Sequence, residues 1–74
     1  MIPEDTLLFT GFDDCIIGIA ERKGETLAVY DYYLIVNQLV NEEGLSEEEA
    51  IEHIDYNMQG AWVGEQTPII LYPL

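Results

Sequence analysis

Positive charge is almost missing from this chain. Among 74 residues there are 2 Lys+Arg against 15 Asp+Glu, a formal net charge of -13. Two cations cannot neutralise a run of phosphates, so direct binding to nucleic acid or to an anionic membrane surface is not expected. Cys15 stands alone, which excludes an internal disulfide and points to a reducing cytoplasm. Apolar runs are short, as in Leu34-Ile35-Val36, far below the roughly 20 residues that span a bilayer. Met1-Ile2-Pro3-Glu4-Asp5 has no basic stretch leading into an apolar one, so no signal peptide is expected. No glycine-rich phosphate loop is present either: Gly60, Gly64 and the other glycines match neither nucleotide fingerprint.

What the chain does have is apolar content, at 49% of residues. A disordered acidic tail lacks that content, so a single folded domain is expected beneath a strongly negative coat. Such a coat costs folding stability through self-repulsion and steers the protein toward cationic partners. A domain this small buries only about 60% of its unfolded surface. Without a disulfide staple, a homodimer is a natural way to gain more.

Residues 1–12 read as an extended leader whose Leu7, Leu8, Phe9 and Phe12 would pack on the body, with Gly11 permitting a bend. Cys15 to Glu21 is short and rich in β-branched residues, which favours a strand. Arg22-Lys23-Gly24-Glu25 reads as a turn, and Thr26 to Tyr30 as the returning strand of a hairpin. Asp31 is placed to cap a helix from Tyr32 to about Glu43, with Leu34, Ile35, Leu39 and Val40 facing the core. Gly44 is the left-handed residue expected just past its end. Ser46 and Glu49 form a capping box for a second helix. Its apolar stripe is Ala50, Ile51, Ile54, Met58, Ala61 and Trp62, and Gly60 closes it. Residues 63–68 read as a loop and Ile69 to Tyr72 as a third strand. The expected fold is α+β, a small two-layer sandwich in the order ββααβ, with a helical hairpin on one face of the sheet.

The densest chemical signal is acidic. Glu42, Glu43, Glu47, Glu48, Glu49, Glu52 and Asp55 surround the turn between the helices. A helix advances about 1.5 Å per residue, and duplex DNA carries one charge per roughly 1.7 Å of axis. Carboxylates at this density therefore resemble a phosphate backbone to a protein that binds nucleic acid. The plainer reading is a solvated face, and Glu47, Glu48 and Glu49 suit it, because a helix start stabilises negative charge. Glu42 and Glu43 do not suit it, because they lie in a last turn, where the dipole disfavours anions.

Other chemistry is thin. Asp13, Asp14, Glu49, Glu52, His53 and Asp55 are metal-ligand types. A lone histidine, a lone cysteine and the absence of EF-hand spacing nonetheless leave no dedicated metal site or cofactor to expect. Cys15 with His53 would need the fold to join them, and a cysteine in an apolar strand is usually a small buried hydrophobe. No enzymatic activity is expected. Tyr30, Tyr32 and Tyr33 cluster where strand meets helix and cannot all face one core, since helical neighbours point about 100° apart. Tyr32, Tyr33, Trp62 and Glu65 are accordingly candidates for a dimer or ligand contact, against the plain reading of buried rings with wet hydroxyls. Asp31, Asn57, Glu65 and Thr67 are further polar candidates: a loop held between Trp62 and Pro68 would present Glu65 and Gln66 as a small polar site, or else Asn57 and Thr67 only satisfy local backbone groups.

One resemblance extends over most of the chain. Gly11-Phe12-Asp13-Asp14 with Ile16-Ile17-Gly18, then Tyr30-Asp31, Glu48-Glu49-Ala50 and Tyr56-Asn57, ends in Gly60-Ala61-Trp62-Val63-Gly64-Glu65 with Thr67-Pro68. This pattern resembles small acidic proteins encoded in bacteriophage genomes. The resemblance implies an early or accessory product acting in a bacterial host's cytoplasm. It carries no activity and no functional residue with it. Small acidic phage products often inhibit a host protein by filling its nucleic-acid or active-site groove. The expected function is therefore noncatalytic inhibition of a basic, nucleic-acid-binding host protein through the acidic surface. The alternative is a self-associating structural module, or a dimer that sequesters a small molecule.

Overall fold

The structure is a computed structural model that describes residues 5–59 and 66–74. Strand β1 (Ile16–Arg22) and strand β2 (Glu25–Asp31) form an antiparallel hairpin, followed by helix α1 (Tyr32–Glu43), helix α2 (Glu47–Ile54) and strand β3 (Ile69–Leu71). The order ββααβ is the one expected. β2 is the middle strand, with β1 antiparallel on one side and β3 parallel on the other.

The hairpin turns where expected, with Arg22 paired to Glu25 across it. Lys23 and Gly24 both have positive φ, 52° and 80°, the signature of a two-residue turn matched to strand twist. At the other end of β1, Ile16 pairs with Tyr30 and Gly18 with Val29, so Ile17 is the extra residue of a bulge.

Local chemistry explains the helices. Asp31 Oδ1 accepts from Tyr33 N at 2.8 Å and Leu34 N at 3.1 Å, which starts α1. Gly44, at φ 72°, ends it, and its N–H donates to Leu39 O. Ser46 Oγ accepts from Glu49 N at 3.1 Å while Glu49 Oε1 accepts from Ser46 N at 2.9 Å, completing the capping box of α2. Replacing Ser46 by Ala should cost about 1 kcal/mol, read as a lower urea midpoint with an unchanged m-value.

The core joins Cys15, Ala28 and Tyr30 to Ile35, Val36 and Leu39 of α1 and to Ala50, Ile54 and Met58. Three expectations about the core need correction. Leu34 is 40% exposed and Val36 takes its place in the core, because α1 rolls its Ile35–Val36–Leu39 edge onto β2. Cys15 is not in a strand. It ends a 3-10 turn, Asp13–Cys15, that tucks its thiol inward just before β1. In the leader, Phe9 and Phe12 pack on the core as expected, whereas Leu7 and Leu8 are exposed.

Helix α2 is also shorter than its apolar stripe. It stops at Ile54 and continues as one wide π-helical turn, Asp55–Gln59. Asn57 supplies a local cause: its Nδ2 donates to His53 O at 3.1 Å, the carbonyl that a regular helix would pair with the Asn57 N–H. Ala61, Trp62 and the closing Gly60 lie outside the described residues.

Candidate acidic and aromatic surface

All seven carboxylates from Glu42 to Asp55 are exposed, but the helices divide them among several tasks. Glu42 and Glu43 end α1, in a last turn that holds no basic residue. Their charge therefore adds to the partial negative charge of unpaired carbonyls instead of offsetting it. Glu47, Glu48 and Glu49 occupy the first turn of α2, where the dipole welcomes them. Glu49 is committed to the capping box. Glu48 and Glu52, one turn apart, share a solvent-facing stripe.

Glu42 and Glu47 open onto two different clefts. With Gly11, Asp13, Asp14 and Gln38, Glu42 lines a cleft of about 300 Å³. Gln38 fixes that cleft's geometry: its Nε2 donates to Gly11 O at 2.7 Å, and its Oε1 accepts from the Cys15 thiol at 3.4 Å. Asp13 and Asp14 were visible in sequence as an acidic pair of metal-ligand type, with nothing to place them beside Glu42, and Gln38 gave no signal. Cys15 has an amide as its hydrogen-bond partner, not a base. Burial first, then the nearby Asp14, Asp31 and Glu42, pushes its thiol pKa up from 9.0.

Glu47 instead meets the tyrosines. It lines a groove of about 260 Å³ between α1 and α2 with Tyr32, Tyr33, Val36, Asn37 and Ile51. Tyr32 is the centre of the aromatic cluster. Tyr72 stacks on it at 4.3 Å between ring centroids and 28° between planes, and Tyr33 meets it edge-on at 5.5 Å and 78°. The Tyr72 hydroxyl also accepts from Gln59 Nε2, tying the segment after β3 to the π-helical turn. Partial burial, and then the nearby Tyr72, Asp55, Tyr33 and Glu47, raises the Tyr32 phenol pKa. Sequence reasoning missed Tyr72, whose role depends on where β3 docks.

No protein-family model matches the chain, and neither a curated protein nor a solved structure is significantly similar to it.

Asp31 caps α1, and Asn57 bonds the helix backbone, as the local reading of both requires. Gln66 Nε2 donates to Glu25 Oε2 at 2.6 Å. Trp62 and Glu65 lie outside the described residues. Among the described residues, no group of three or more His, Cys, Asp or Glu side chains is arranged to hold a metal ion. No helix among them is long and apolar enough to cross a membrane.

Proposed function

We propose that this protein is a noncatalytic, phage-type inhibitor acting in the cytoplasm of a bacterial host. Its target is a basic, nucleic-acid-binding host protein, which it engages through carboxylates from Glu42 to Asp55. The observation that carries the reading is the pair Glu42 and Glu43, exposed at a helix C-terminus with no cation in that turn. Stability alone favours lysine or arginine at such a position. An anionic surface kept against that local cost is supported by a use for the charge, and a phosphate-binding groove is the matching partner.

The test begins with a bacterial lysate passed over immobilised protein at about 0.1 M salt and eluted at about 0.5 M, where screening is far shorter-ranged. One dominant DNA- or RNA-binding protein should be retained and then released by salt. With that protein purified, neutralising Glu42, Glu43, Glu48 and Glu52 together to Gln should weaken binding more than tenfold and leave thermal unfolding intact. Affinity unchanged within twofold would refute the proposal.

Self-association is the second reading. It is favoured by Ile17 and Ile19, which are 47% and 46% exposed on the edge strand β1. Sedimentation of a monomer independent of concentration would remove it.

A further inference from the structure

Glu47 belongs both to the tyrosine groove and to the exposed acidic surface. One wall of the groove is aromatic, Tyr32 and Tyr33, and Tyr33 is 54% exposed. The floor is apolar, from Val36 and Ile51. The polar groups along it are the Glu47 carboxylate and the Asn37 amide. Apolar floor, ring face and carboxylate are together the three surfaces that an arginine side chain satisfies. Its methylene stem covers aliphatic surface, its planar guanidinium stacks on a ring, and its N–H fork pairs with a carboxylate. A neutral apolar guest would leave Glu47 unpaired against the groove, and an anionic guest would meet the net charge of -13.

We infer that the Tyr32–Tyr33–Glu47 groove is the docking site for an arginine side chain of the basic partner. This inference rests on the proposed function for the identity of its partner. It adds that recognition has a shaped anchor as well as a diffuse field. Tyr33 supplies the stacking face, Glu47 the ion pair, and Val36 with Ile51 the seat for the stem. Tyr72, stacked behind Tyr32, holds that ring in place.

The probe is the tripeptide acetyl-Gly-Arg-Gly-amide, titrated into the isotope-labelled full chain and followed by aromatic and methyl NMR. Resonances of Tyr32, Tyr33 and Ile51 should shift and saturate, with a dissociation constant on the order of 1 mM. The citrulline tripeptide, equal in shape but uncharged, should shift them at least tenfold less. Tyr33→Ala and Glu47→Gln should each weaken the arginine peptide roughly three- to tenfold. Glu21→Gln, on strand β1 and outside the lining of the groove, should change its affinity by less than twofold.

Non-saturating shifts spread over all the acidic positions, or equal response to citrulline, would overturn the inference. Those outcomes leave the host-protein test standing, because that test depends on Glu42, Glu43, Glu48 and Glu52. Conversely, a saturable arginine site in a protein that retains no basic host protein would refute the inhibitor reading alone.

Discussion

Tyr30→Ala should abolish the native fold at ordinary temperature. Tyr30 is fully buried at the end of the central strand and belongs to the core that both helices share. Its ring packs against Phe9 with centroids 5.0 Å apart, and its hydroxyl accepts the Phe9 N–H at 2.8 Å. Truncating a buried aromatic to Ala costs about 3–5 kcal/mol, and losing the acceptor for a partly buried N–H adds about 1 kcal/mol. A domain of 74 residues has roughly 4–11 kcal/mol of stability to lose. Circular dichroism of the variant should show little cooperative unfolding above 25 °C. Tyr30→Phe, which keeps the ring, should fold and lose only about 1 kcal/mol. A cooperative Tyr30→Ala melt within a few degrees of the parent would mean that the leader and the core are not joined through this residue.

The second large effect is alkaline. Burial is the main cause raising the pKa of the Cys15 thiol and of the Tyr30 phenol above their ordinary values of 9.0 and 10.0, the Phe9 N–H partly opposing it for Tyr30. Both groups become charged when they lose the proton, so the folded chain holds protons that the unfolded chain has released. Their stabilisation is therefore complete below pH 9 and is lost as pH rises through the folded pKa values. The slope approaches about 1.4 kcal/mol per pH unit for each group. Urea midpoints should fall steeply between pH 9 and pH 11, and Tyr30→Phe should reduce the slope by one group's share. At pH 8 the same burial should slow alkylation of Cys15 at least roughly 100-fold relative to the urea-unfolded chain. A flat profile to pH 11 with rapid alkylation would contradict the packing of both groups.

The features that were legible in the sequence are those fixed within a few residues. Asp31, Gly44 and the Ser46–Glu49 pair announce helix ends because caps are local hydrogen bonds, and the bounds of α1 follow from them. Features that depend on distant chain were not legible. Whether Leu34 or Val36 enters the core depends on how α1 rolls on β2. The place of Cys15 depends on Gln38, which bonds it from across the fold. The acidic residues could be counted from the sequence and Glu49 placed in its cap, but the opening of Glu42 onto one cleft and of Glu47 onto another could not be read there. The aromatic groove needed both helices and β3 in place before Tyr32, Tyr33 and Tyr72 could be seen as one group.

The central position of β2 has a consequence for how the molecule assembles in time. On one side its partner is its hairpin neighbour, within reach through the Lys23–Gly24 turn. On the other side Val29 must find Ile69, with both helices intervening in the chain. A hairpin closes in about 1–10 µs, whereas a parallel pairing across that separation waits on the search that brings distant segments together. The natural order is hairpin, then helices, then β3, so the last strand acts as a latch. Tyr72 follows directly behind that latch and supports the back of the tyrosine groove, so the groove is completed only when folding is. A partly folded chain would display its full charge without its aromatic anchor.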